Sequence, residues 1–187
     1  MGNDIPKVSY DGKINIGNKE LSCAVLEDGT RILTNTAIFK AFDRPRKGKP
    51  SEEYRLKNTP AFLTANNLAP YIKREFAEDD FSIKYINRGR ELVGYKAEIL
   101  SRICEIYLSA RDDGVLLESQ KPLAEVSDIL MRSLAKVGII ALIDEATGYQ
   151  FERDTRALQE LFSKYIAEEF LPWVKTFPDD FYIQMFP

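Results

Sequence analysis

An apolar stripe runs without a break from Leu123 to Ala141, through Val126, Leu130, Leu134 and Val137, at steps of three and four residues. An α-helix puts such positions on one face, because its 3.6-residue period returns to the same side every third or fourth residue. Pro122 suits the first turn of that helix, where its missing N–H costs nothing. Gly148 can stop it in a left-handed cap. The stripe leads into "GIIALIDEATGYQ", residues 138–150, which has a second reading. An apolar run ending in Asp144-Glu145 has the form of a Walker B strand, where the Asp would hold Mg²⁺ and the Glu would activate water. That reading requires an upstream phosphate loop of the form GxxxxGK[ST]. The two Gly-Lys pairs, Gly12-Lys13 and Gly48-Lys49, lack both the earlier Gly and the following Ser or Thr, and no GxGxxG occurs. A nucleotide hydrolase is rejected, and the stretch is expected to be helix.

Two carboxylates at a helix C-terminus meet the negative end of the macrodipole, at a cost from a few tenths of a kcal/mol to about 1 kcal/mol. They need a partner. The expectation is a turn lock, in which Gly148 takes the left-handed cap and Asp144 or Glu145 binds Arg153, Arg156 or backbone across the turn. Tyr149 is expected to pack over it. The rival is a metal site built from Asp144, Glu145 and Asp154, as in a metal-dependent hydrolase.

Composition narrows the chemistry further. The chain of 187 residues contains no histidine, which removes the commonest general base and every Ser-His or Cys-His nucleophile pair. Its two cysteines, Cys23 and Cys104, lie 81 positions apart and cannot assemble a zinc set without histidine, so both are read as buried thiols. A non-enzymatic protein without a cofactor is expected. The longest apolar run, Val137 to Ile143, is too short to cross a bilayer. The N-terminus "MGNDIPK" has no apolar signal region, and Pro6 stands where a myristoylation motif needs Ser or Thr. A soluble, cytoplasmic protein is the expectation.

The first third has a different period. "KINIGNKELSCAVLEDGTRILTN" alternates apolar and polar residues around "EDGT" at 27–30, whose Asp-Gly pair suits a two-residue hairpin loop. "TAIFKAF" reads as a short helix capped by Asn35 or Thr36, with Ile38, Phe39 and Phe42 on one face. "PAFLTANNLAPYIKREF" suggests short helical turns broken at Pro70, and "FSIKYI", "NRGRE" and "LVGYKA" form a second hairpin. From about residue 96 the period becomes helical, with Ile99, Leu100, Ile103, Tyr107 and Leu108 in one stripe and "RDDG" as its stop. A last long helix, from about Asp154 to Phe170, is expected to bury Leu158, Leu161, Phe162, Tyr165 and Ile166, with a further helix opening at Pro178. The fold class is α+β, with a hairpin-rich part at 1–95 and a helical part at 96–187, packed as one body because no Pro/Gly/Ser-rich linker separates them.

Charge is uneven along the chain. Residues 1–60 hold 11 Lys/Arg against 8 Asp/Glu, whereas residues 111–187 hold 8 against 14. A nucleic-acid contact is therefore expected in the N-terminal part. Arg44, Arg46, Lys47 and Lys49, in a loop stiffened by Pro45 and Pro50, would meet phosphates, with Arg88 and Arg90 at the second hairpin tip as a further contact. The bland alternative is a solvated loop balanced by Glu52 and Glu53.

The stretch from "GYKAEILSRICEIYLSARDDGVL" through "LAKVGIIALIDEATGYQFERDTRALQELFSKYIAEEFLPWVKTFPDDFY" resembles the "protein 63 C-terminal domain" family of phages and bacterial genomes. The resemblance spans about Gly94 to Tyr182, roughly half the chain. It implies a helical domain with no assigned enzymatic activity, grouped with accessory domains of phage DNA-binding and regulatory proteins beside BRO-N and KilA-N modules. It also implies that such chains continue beyond the position of Tyr182, whereas this one ends in "IQMFP". A phage- or prophage-type DNA-associated regulatory protein is the expected function. The alternative is a protein-interaction or self-association module, supported by the acidic helical half and the apolar ending.

Overall fold

The computed structural model describes residues 5–16, 19–42, 60, 63, 65–76 and 81–174, the last four by backbone only. The fold class is α+β. Five strands, β1 (Val8–Ile16), β2 (Lys19–Leu26), β3 (Arg31–Thr34), β4 (Ser82–Asn87) and β5 (Arg90–Lys96), form one sheet in the order β1-β2-β3-β5-β4. Five α-helices accompany them among the described residues: α1 (Asn35–Ala41), α2 (Ala69–Glu75), α3 (Ile99–Asp112), α4 (Lys121–Thr147) and α5 (Ala157–Val174). None is long and apolar enough to cross a membrane.

The chain divides into two compact units, Met1–Ile14 with Glu20–Ser127, and Asn15–Lys19 with Asp128–Pro187. The first unit reaches well past residue 95, because polar side chains tie the segment around α2 to α3 and to the start of α4. Asn67 donates to the Val115 carbonyl at 2.9 Å and to Gln120 at 2.7 Å, and the Tyr71 hydroxyl donates to Asp113 at 2.6 Å. Arg102 reaches Glu75 at 3.1 Å, and Arg74 donates to Ser109 at 2.8 Å. Within this unit α3 buries half of its fourteen residues, Ile99, Leu100, Ile103, Cys104, Ile106, Tyr107 and Ala110. Leu108, expected in that stripe, is only half-buried.

The β2–β3 loop is not the two-residue turn its Asp-Gly pair suggests. Register pairs Val25 with Arg31, and Gly29 alone of the loop residues has positive φ, at 82°. Asp28 stays in ordinary conformation because its carboxylate accepts the Thr30 N–H at 2.9 Å, which also holds its carboxyl below the usual range. The true two-residue loop is Arg88-Gly89 between β4 and β5, with φ of 50° and 75°. Positive φ at both central residues matches the twist of the flanking strands.

Two helix starts also differ from expectation. Thr34, not Asn35 or Thr36, caps α1, its hydroxyl accepting the Ala37 N–H at 3.1 Å. Pro70 does not break a helix but opens α2, where a missing N–H is harmless. Thr34→Ala should destabilise the protein by about 1 kcal/mol. A urea titration with unchanged m-value checks this.

The sheet core is Ala24, Leu26, Ile32 and Tyr85, with Val8 and Ile83 packed against it. The segment before β1 closes part of the far edge. Ile86 donates to the Pro6 carbonyl at 2.9 Å, and Lys7 forms a parallel bridge with Ile86. Gly94 lies in β5, between β3 and β4. A Cβ there would stand 2.9 Å from the Leu33 carbonyl oxygen and 3.1 Å from Tyr85 Cε1.

Both cysteines are free thiols, Cys104 buried as expected but Cys23 only half-buried. Burial pushes the Cys104 thiol up to about 12. Because thiolate is the reactive form, one thiol should label slowly in the native state and Cys104 only on unfolding. Counting modified thiols by mass spectrometry before and after denaturant checks this.

Candidate functional site

The stretch 138–143 lies inside α4 and forms no strand. At 3.6 residues per turn, Ile129, Ser133, Val137, Ile140 and Asp144 lie on one side of this helix. Ile129, Ser133 and Asp144 are buried, and Val137 and Ile140 half-buried. The opposite sector, about 100° wide, carries Ala135, Ile139, Leu142, Ile143 and Ala146, all exposed. Ile139, Leu142 and Ile143 expose 56%, 64% and 54% of their surface. Beyond the helix end, Tyr149 and Phe151 are exposed at 56% and 84%. The C-terminal end of α4 thus leaves several large apolar side chains exposed, a feature of interaction sites where such side chains adjoin.

A set of polar contacts fixes that end. Gly148 takes the left-handed conformation, φ 77°, and stops the helix. The Arg153 guanidinium donates to Asp144 at 2.6 Å, with the two side chains 21% and 12% exposed. Thr147 donates to the Ile143 carbonyl at 2.8 Å, and the Arg153 N–H donates to the Tyr149 carbonyl at 3.0 Å. The expected lock is therefore Asp144 with Arg153, held across Gly148. Glu145 and Arg156 are exposed, and Glu145 contributes its carbonyl, which accepts the Gly148 N–H at 3.2 Å. Tyr149, expected to pack over the pair, stands in a short 3₁₀ turn, Tyr149–Phe151, and is 56% exposed. Among the described residues no three Cys, Asp or Glu side chains gather closely enough to hold a metal ion.

Within the second unit, α5 meets α4 at Arg132 and Lys136. Phe162 and Ile166 are buried, while Leu158, Leu161 and Tyr165 are half-buried, so the expected stripe is only partly enclosed. Lys136 donates to Glu169 at 3.0 Å and lies 5.0 Å from the centre of the Tyr165 ring. Arg132 bonds Asp128 and approaches Glu169 at 3.6 Å. The Lys136 hydrogen bond, with Arg132 and Lys136 as nearby charges, holds the Glu169 carboxyl below its usual range. A depressed folded-state value means this contribution is present above the ordinary Glu range and is lost as pH falls through the lowered value.

The sequence-predicted basic residues fare differently. Arg44, Arg46, Lys47 and Lys49 lie outside the described residues. Arg88 sits at the β4–β5 tip with its side chain 86% exposed, 3.9 Å from Asp11. Arg90 is exposed beside it, and Lys84 pairs with Glu91 at 2.9 Å. Asp11 and Glu91 leave this tip only weakly basic.

Sequence reasoning missed the exposed residues Ile139, Leu142, Ile143 and Phe151. The signal was present, since a helix apolar on every side needs cover on every side, and among the described residues Ile139, Leu142 and Ile143 stay exposed. No family model matches the sequence, and neither a curated protein nor a solved structure matches it.

Proposed function

We propose that the chain is a non-enzymatic interaction module whose contact surface is the C-terminal face of α4. The observation that carries this reading is the row Ile139, Leu142 and Ile143, exposed at 54–64% on a helix whose opposite side is fixed by the Asp144–Arg153 pair. Rigid support behind an apolar row lowers the ordering cost of binding. Replacing all three by Ser should leave the melting temperature nearly unchanged, because surface substitutions shift stability by only about ±0.5 kcal/mol. The same variant should lose the complexes that the wild-type chain forms in pulldowns read by mass spectrometry. Retention of every complex sinks the reading.

A second reading, the DNA-associated regulator of phage or prophage type, follows from the family resemblance and would place the protein in the cytoplasm. Its specific support is Arg88, held in a left-handed conformation that disfavours ordinary side chains and projecting 86% exposed from the hairpin tip. Arg44, Arg46, Lys47 and Lys49 would add up to four phosphate contacts. Duplex binding would then be weak and fall with log salt at a slope no steeper than about −4 for those four residues. Fluorescence anisotropy at low salt tests it, and binding unchanged when Arg44, Arg46, Lys47 and Lys49 all become Ala rejects it.

A further inference from the structure

We draw no further inference here: the strongest candidate, the exposed apolar side of α4 at Ile139, Leu142 and Ile143, already carries the proposed function, and nothing among the described residues shows what covers it.

Discussion

Gly94→Val should lower stability by roughly 3 kcal/mol or more, the upper range of overpacking costs, and Gly94→Ala by about 1–3 kcal/mol. The reason lies in the backbone rather than in a movable side chain. The new Cβ would stand 2.9 Å from the Leu33 carbonyl oxygen, and that residue is fixed by pairing to Tyr95 in the β3–β5 ladder. On the other side it would meet the Tyr85 ring at 3.1 Å, and Tyr85 is 2% exposed and has nowhere to turn. Relief therefore requires β5 to move off β3, which opens the sheet at its centre. Gly12 is the control. It lies in β1, and a Cβ there would approach only Cys23 Sγ, at 3.9 Å. Gly12→Ala should be close to neutral. Urea midpoints for the three variants decide the matter, and a Gly94→Val midpoint equal to wild type removes the close-approach account.

Asp144→Ala is expected to cost about 1–3 kcal/mol, the penalty for leaving a largely buried partner unpaired. At about 2–4 °C per kcal/mol for a chain of this size, the melting temperature falls by several degrees. Arg153→Ala should cost a similar amount, because it leaves a carboxylate on a residue only 8% exposed without its cation. The double variant should be less destabilised than the two single losses added together, since each removes the same 2.6 Å contact. Glu145→Ala, one residue along, is exposed and should change little. Additive losses from Asp144 and Arg153 would mean that the contact does not couple them.

Much of this architecture is legible in the residues. The period of three and four from Leu123 identifies α4, and Gly148 and Arg153 complete its end. Period alone could not show which sides of the helix are covered. Val137, Gly138, Ile139, Ile140, Ala141, Leu142 and Ile143 are apolar in every direction, and only the neighbours present in space decide that Ile139 and Leu142 stay exposed. Capping was misread for a related reason. Thr34 ends β3 and begins α1 at once, and a residue serving a strand does not look like a cap. The Asp28-Gly29 pair was misread because the Asp28 carboxylate found the Thr30 N–H, a competing local bond that removes the need for positive φ.

The order β1-β2-β3-β5-β4 also has a consequence for the chain as it is made. Thr34 pairs with Gly94, and Ile32 with Lys96, so β3 leaves the ribosome some sixty residues ahead of its partner. At about 5–20 residues per second that interval lasts several seconds. Throughout it the far side of β3 is an open edge, able to accept a strand from any neighbour. Its brevity is the safeguard, since Arg31–Thr34 offers only four residues to a wrong partner. The β4–β5 hairpin, closed locally by Arg88-Gly89, can form before it docks, whereas its pairing with β3 closes a loop of some sixty residues.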